Sequence, residues 1–246
     1  IHRMRVASRR VRTSLGIFEE SLPGKRGGEW LSHIRKLTRA LGQARDADVQ
    51  LDLLVRFFNA LPNPGLRPGI HRLTLRLSQQ RLKMQRKVES ALDDLMKSKV
   101  IEVIRTRFTP FIDAHPEITP SSPALFQIAY TNINERLNEF LTYEVYLRQP
   151  EYKDELHAMR IAAKRLRYTM EVFAPLFADN LKKPLRAIRK TQEMLGEIHD
   201  CDVWIEYLPE FEQQERVRIL KFYGSTRALG RLKPGLDYFL QNRVEE

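Results

Sequence analysis

Two stretches of the chain place basic side chains at the spacing of one helix face. At about 100° per residue, each set of four falls within a sector of about 80°: His2, Arg5, Arg9 and Arg12 in the first, and His157, Arg160, Lys164 and Arg167 in the second. A solvated basic face usually has acidic partners three or four residues away, but both stretches lack Asp and Glu. Arginine suits multidentate phosphate contacts because its planar guanidinium offers several donors and stays charged. The pattern predicts an anion-binding surface.

A second basic segment follows each of these stretches. Arg35, Lys36 and Arg39 precede Gly42, and a denser set precedes Gly196: Lys182, Lys183, Arg186, Arg189 and Lys190. If the first two helices of each unit pack antiparallel, these cations flank one groove with the first set. The two glycines fit either close helix contact or close approach of a ligand. Paired aspartates after them (Asp46 and Asp48, Asp200 and Asp202) could chelate a divalent cation, but we favour counter-charges for the motif arginines.

The histidines and the cysteine favour binding over catalysis. His2 and His157 stand beside guanidiniums, so we expect neutral imidazoles that donate one hydrogen bond to a phosphate oxygen. No histidine has another histidine or a cysteine three or four residues away, which disfavours zinc. Cys201 lies between two aspartates, which disfavour a thiolate, and we expect a small core residue. The sequence predicts no catalytic residue, metal or cofactor.

The basic stretches belong to an internal repeat. The segments 2–12 and 157–167 share six of eleven residues, and 41–49 and 195–203 share five of nine, at nearly equal spacing. We interpret the chain as one duplicated bundle, with repeats at 1–116 and 117–246. A linker is predicted where four prolines cluster: Pro110, Pro116, Pro120 and Pro123.

Hydrophobic periodicity is helical throughout, and no run resembles a strand. Two apolar stripes are predicted to be core: Met4, Ala7, Val11, Leu15, Phe18 and Leu22, and Met159, Ala162, Leu166, Met170, Phe173 and Phe177. Further helices are predicted at 29–60, 68–112 with a break near Lys97, 124–147, 180–207 closed by Pro209, and 210–242 with a bend at Gly224, Gly230 or Pro234. The expected fold is all-α, with two pseudo-twofold-related bundles of the four-helix type. By the repeat, the first bundle lacks its N-terminal helix upstream of Ile1.

Composition limits the remaining possibilities. The 246 residues carry a formal charge of +11, which attracts nucleic acids, acidic membrane surfaces, polyphosphates or acidic proteins without choosing among them. One cysteine excludes an internal disulfide framework and fits a reducing compartment. No stretch reads as a credible membrane span.

The duplicated motifs resemble those of the CHAD family, the conserved histidine α-helical domain. The resemblance implies two four-helix bundles that bind inorganic polyphosphate, cytoplasmic localisation, association with polyphosphate granules, and in some relatives a fused CYTH triphosphatase. Carried over by position, the implied binding residues are His2, Arg5, Arg9, Arg10, Arg12, Lys36, His157, Arg160, Lys164, Arg165, Arg167 and Lys190. The second LG segment departs from the first, since Glu193 and Glu197 stand where the first has Arg39 and Gln43. This difference argues against equal participation of the two halves.

We predict a non-enzymatic polyphosphate-binding module, with Arg35 and Arg39 added to the family positions. RNA or single-stranded DNA is one alternative, but base-tolerant binders interleave aromatic residues with basic ones, and these stripes offer only Tyr168. A metal-dependent phosphatase or triphosphatase accessory domain is the other, and its only candidate carboxylates are the paired aspartates.

Overall fold

The structure is a computed structural model that describes residues 2–21, 26–114 and 122–246. All regular elements in these ranges are helical, in agreement with the predicted all-α fold. The α-helices are α1 (His2–Ile17), α2 (Arg26–Asn59), α3 (Arg67–Lys97), α4 (Val100–Ala114), α5 (Pro123–Leu141), α6 (Lys153–Phe173), α7 (Lys182–Tyr223) and α8 (Leu229–Glu245). Four single 3-10 turns accompany them at Glu19–Ser21, Pro64–Leu66, Glu144–Tyr146 and Ala174–Phe177. None of the described helices is both long and apolar enough to cross a membrane.

The chain forms two compact units. Unit 1 comprises Ile1–Gln43 and Arg86–Leu195, and unit 2 comprises Ala44–Gln85 and Gly196–Glu246. Helices α2, α3 and α7 each contribute residues to both units. Both units therefore combine residues from the two halves of the sequence, while the repeat boundaries at 1–116 and 117–246 stay a sequence-based prediction.

The core of unit 1 is built on α6, against which α5 and α1 pack. Met159, Leu166 and Met170 of α6 are almost fully buried and contact Ile133 and Phe140 of α5. Ala162 and Phe173 complete the buried stripe, so these five members of the predicted α6 core stripe are confirmed. Because this stripe faces the core, the basic residues of α6 remain at the opposite, half-buried or exposed side.

The corresponding stripe on α1 is wrong in part. Met4 is 42% exposed and Val11 is 37% exposed, whereas Leu15 is buried. On α6 the matching face packs against Ile133 and Phe140 of α5, whereas Met4 and Val11 of α1 stay largely exposed. The repeat thus preserves the side-chain pattern without preserving burial. Leu22 of the predicted stripe lies outside the described residues.

Unit 2 has its own aromatic and aliphatic core. Trp204 and Phe211 of α7 and Phe239 of α8 are at most 1% exposed, and they pack with Leu54 of α2 and Leu73 of α3. The rings of Trp204 and Phe239 meet edge to face, with centroids 5.1 Å apart. Side chains from four helices therefore share one core within this unit.

Several predicted helix ends are confirmed and others are wrong. The chain does break near Lys97, where Lys99 has a positive φ of 54°, and Gly224 with φ 68° lies in the turn after α7. Pro209 does not end its helix, since α7 continues to Tyr223. The buried Leu208 and Phe211 beside it anchor α7 in the core, and this packing outweighs the lost backbone hydrogen bond.

The proline-rich junction is also partly different from expectation. Pro110 lies inside α4, and Pro123 begins α5, a position where proline is well tolerated because the first helical N–H has no intrahelical partner. Pro116 and Pro120 lie outside the described residues. Helix α5 ends at Leu141, earlier than the predicted 147, and a 3-10 turn follows.

Two glycines allow α3 and α8 to touch through their backbones. A Cβ atom at Gly235 would overlap the carbonyl oxygen of Leu66, and one at Gly69 would overlap that of Leu232. Because the colliding atoms belong to the backbone, they cannot move aside as a flexible side chain would. This contact fixes the crossing of α3 and α8 within unit 2.

We predict that Gly235→Ala destabilises the protein by about 1–3 kcal/mol, the usual cost of forcing extra atoms into a packed contact. Gly230→Ala is the matched control on the same helix, since a Cβ there meets no atom within 4 Å. Urea unfolding of both variants checks the prediction. Equal stabilities for the two variants would contradict it.

Candidate anion-binding site

The predicted basic stripes meet at Tyr168, a residue of α6 that is 8% exposed. Arg9 of α1 donates a hydrogen bond from Nη1 to the Tyr168 hydroxyl at 2.5 Å, and its guanidinium carbon lies 5.6 Å from the ring centroid. The guanidinium carbon of Arg167 lies 4.7 Å from the same centroid. Cations over an aromatic face are attracted by its quadrupole. Tyr168 therefore holds one arginine from each repeat.

Further arginines lie close to Arg9 and Tyr168. The pKa of Arg12 is lowered by burial and by repulsion from Arg9, Arg35 and Arg165, while Tyr168 acts in the opposite direction. These cations come from α1, α2 and α6, all within unit 1. We call Arg9, Arg12, Arg35, Arg165 and Arg167 the arginine cluster. Their mutual repulsion is an unfavourable term that a bound anion would relieve.

Two glutamates offset part of this charge. Glu139 of α5 accepts hydrogen bonds from Arg136 at 2.8 Å and from Arg165 at 2.5 Å. Burial alone would raise the pKa of Glu139, but these two hydrogen bonds lower it. Glu171 pairs with Arg189 of α7 at 3.2 Å and lies 3.9 Å from Nε of Arg167. Each carboxylate is thus shared by two arginines, which leaves an excess of positive charge.

The second basic stretch continues along α6 beyond the arginine cluster. His157 is half-buried, and its pKa is lowered by burial and by the charges of Arg160 and Lys164, with Asp154 opposing them. The imidazole is therefore favoured in its neutral form, as the sequence predicts. His2 and Arg5 lie on α1, and the side chain of His2 lies outside what the structure describes.

Other predicted site residues lie elsewhere in unit 1. Lys36 forms an ion pair with Asp94 of α3, and Arg39 lines a cleft between α2 and α3. Arg10 and Lys190 are exposed. Lys36 and Arg39 therefore lie against α3 rather than at Tyr168.

The interpretation of the aspartate pairs needs correction at one position. Asp48 accepts a hydrogen bond at 2.6 Å from Arg81 of α3, which is not a motif arginine. Helix α3 passes close enough for this pairing, which the sequence motifs alone do not reveal. Among the described residues, no group of three or more metal-ligating side chains is assembled.

The sequence leaves Gly42 open to two interpretations, close helix contact or close approach of a ligand, and it predicts that Cys201 is a protonated thiol in the core. A Cβ atom at Gly42 would meet nothing within 4 Å, so Gly42 is not a point of close helix contact. Cys201 is half-buried, and its pKa is raised by burial and by carboxylates that include Glu246, against the effect of Arg243. The thiol form is therefore favoured, as expected, but Cys201 is not one of the buried core residues.

Sequence reasoning missed two features of this region. The sequence pattern identifies Tyr168 only as the one aromatic residue of the stripes, although it directly follows the last motif arginine. Arg86 and Lys87 of α3 line the cleft with Arg39. The local charge could have revealed them, because residues 67–88 include seven Lys and Arg residues and no Asp or Glu.

In the part of the chain that the structure describes, every regular element is helical, and the two basic helices α1 and α6 meet at Tyr168. The model of the CHAD domain family matches residues 1–209, and the chain belongs to this family. It is similar to a solved CHAD domain from the plant Ricinus communis, with a TM-score of 0.59 and 25% identity over 96% of this chain and 80% of that one.

Two bacterial relatives are also similar. They are uncharacterized proteins of Mycobacterium tuberculosis, from strains CDC 1551 and H37Rv, each 28% identical over 211 residues, or 85% of this chain. The chain spans 39% of the length of each of these relatives.

Proposed function

We propose that this chain binds inorganic polyphosphate at the arginine cluster and catalyses no reaction there. The observation that carries the proposal is the convergence of arginines from both repeats on Tyr168, where two glutamates, each shared by two arginines, offset part of the charge. Polyphosphate carries negative charge on every repeating unit, so it can contact several guanidiniums at once. Each contact also releases condensed counterions, which favours binding.

The surroundings of Tyr168 support polyphosphate over RNA. Base-tolerant binders of single-stranded nucleic acid need an aromatic face that is open for stacking. Here the hydroxyl of Tyr168 is bonded to Arg9, its ring is approached by Arg167, and the residue is 8% exposed. The one aromatic residue within the stripes is therefore already occupied by cations.

The carboxylates of the site support binding rather than phosphoryl transfer. A metal-assisted hydrolase needs carboxylate oxygens that can hold a divalent cation next to the phosphate. Glu139 and Glu171 are each held by two arginines. In this role they position guanidiniums. Polyphosphate granules in the cytoplasm are the proposed location, and a fused or partner CYTH triphosphatase is the proposed source of any catalysis.

Competition for a labelled long-chain polyphosphate tests the proposal. Unlabelled polyphosphate, RNA and heparin are added at fixed salt and compared at equal concentration of negative charge. We expect polyphosphate to displace the label at the lowest concentration. RNA or heparin that competes equally well would overturn the proposal, because a generic polyanion surface would then suffice.

The same assay also measures how salt and metal chelation change the affinity. Because counterions are released, the logarithm of the affinity is expected to fall linearly with the logarithm of the salt concentration, with a slope approaching one unit per phosphate contact. EDTA at unchanged ionic strength is expected to leave the affinity unchanged. Loss of binding in EDTA would indicate a metal-bridged complex instead.

A further inference from the structure

A cationic cleft lies between α2 and α3 within unit 1. It has a volume of about 460 Å³ and is lined by Lys36, Arg39, Ala40, Gln43, Arg86, Lys87, Ser90 and Ala91. Ala40 and Ala91 are buried, and the long basic side chains are exposed. Small residues at the floor and long cations at the rim leave room for a narrow anion.

The charges of the cleft are only partly offset. Lys36 is paired with Asp94, whose pKa is lowered mainly by the hydrogen bond from that lysine. Arg39, Arg86 and Lys87 form no ion pair with the part of the chain that the structure describes. Three positive charges therefore face one cleft, and two of them come from a helix that carries neither repeated motif.

Helix α2 connects the cleft with the arginine cluster. Arg35 is close enough to Arg12 to lower its pKa, and Arg39 follows one helical turn later, at the rim of the cleft. Gly42 follows by three residues, on the same side of α2 as Arg35 and Arg39. Since a Cβ atom there would meet nothing within 4 Å, the surface over α2 is open at this point.

We propose that the α2–α3 cleft is a second phosphate-binding site, and that a long polyphosphate chain crosses α2 over Gly42 to occupy both sites. The inference rests on the proposed function and adds Arg86 and Lys87 as binding residues. A short oligophosphate occupies the arginine cluster alone, whereas a long chain contacts the cleft as well. The cleft therefore selects for chain length.

The first test compares Arg86→Gln/Lys87→Gln with the unaltered protein. With long-chain polyphosphate we expect an affinity loss of at least tenfold and a smaller salt slope, by up to about two units for the two lost contacts. With tripolyphosphate we expect less than a twofold change. Arg105→Gln/Arg107→Gln on α4 is the matched control, because it removes the same charge from exposed positions in the same unit.

The outcomes separate this inference from the proposed function. If the unaltered protein binds polyphosphate and the α3 variant binds long chains equally well, only the cleft proposal fails. The same holds if the α4 control loses as much affinity, since net charge then explains the effect. If the unaltered protein shows no preference for polyphosphate, both proposals fail. Stronger displacement by polyglutamate than by polyphosphate would assign the cleft to an acidic polypeptide instead.

A second variant tests the crossing point. Gly42→Leu adds a side chain where the structure has open space, and leucine favours a helix more than glycine does. We expect an unchanged or higher Tm together with weaker binding of long-chain polyphosphate. Undiminished long-chain affinity would show that the ligand does not cross α2 at this position.

Discussion

Replacement of Arg12 and Arg35 by glutamine is expected to weaken polyphosphate binding at least a hundredfold without unfolding the protein. A hydrogen bond to a charged group contributes about 1.5–3 kcal/mol, so two of them correspond to roughly two orders of magnitude or more in affinity. Arg12 and Arg35 repel one another in the structure, so neutralising both removes an unfavourable interaction. The Tm is therefore expected to stay unchanged or to rise, and polyphosphate titration beside thermal melting measures both effects.

The Arg105→Gln/Arg107→Gln protein again provides the comparison, since it has the same net charge. We expect its affinity to fall no more than a few-fold. A sharp fall in the Tm of the Arg12/Arg35 variant would show that these side chains serve the architecture. Retained affinity with a normal Tm would remove them from the binding site.

Replacement of Glu215 by alanine is expected to destabilise the protein by about 1–3 kcal/mol, the usual cost of removing one partner from buried hydrogen bonds. The loss stays in this range because the three arginine side chains are 27–45% exposed and water can reach them. The Glu215 side chain is fully buried in unit 2. Its oxygens lie 2.7 Å from Nε of Arg76, 2.7 Å from Nη1 of Arg218 and 3.3 Å from Nη1 of Arg72. Removing this carboxylate leaves three guanidiniums close together, and urea unfolding at neutral pH measures the loss.

Asp237→Ala is the control for Glu215, because Asp237 and its partner Lys233 are both 53% exposed. An exposed pair contributes at most about 1 kcal/mol. An equally small loss for Glu215→Ala would show that its arginines find water or other partners when the carboxylate is removed.

Lowering the pH should remove the stability that Glu215 contributes to the folded protein. Burial by itself would raise the pKa of Glu215, but hydrogen bonds from Arg76 and Arg218 lower it overall. A carboxylate with a lowered folded-state pKa stabilises the protein above its unfolded pKa of about 4.3, and this stability disappears as pH falls through the folded value. The difference in unfolding free energy between the unaltered protein and Glu215→Ala is thus expected to shrink below about pH 4.3.

Sequence periodicity predicts which side of a helix is apolar, but burial depends on the neighbouring helix. Met159 and Met4 occupy matching positions of the repeat, yet Met159 is 2% exposed and Met4 is 42% exposed. Met159 packs in a cluster with Ile133 and Phe140 of α5, whereas Met4 at the start of α1 is left largely exposed. Pro209 is a second case in which neighbouring residues override a local signal. Core packing on both sides of it maintains a helix that local propensity would end.

The candidate site also combines features that the sequence predicts with features that it does not predict. Spacing alone identifies Arg9 and Arg167 as members of basic stripes, because residues on one helix face follow a fixed period. It does not predict that Arg9 bonds to Tyr168, which is 159 positions away in the chain. The ion pair between Arg76 and Glu215, separated by 139 positions, was missed for the same reason. Contacts of this kind depend on how helices are assembled, which helical periodicity does not encode.

The contacts of Tyr168 with Arg9 and Arg167 have a consequence for the entropy of binding. An arginine on a free surface samples many rotamers and loses that freedom when it grips a ligand. Here hydrogen-bonding and ring contacts restrict both guanidiniums before any ligand arrives, so their share of that loss is incurred during folding. If polyphosphate binds as proposed, the remaining ordering is shared by the exposed Arg35 and Arg165 and by the flexible polyanion. The affinity should then depend on the stiffness of the polyanion.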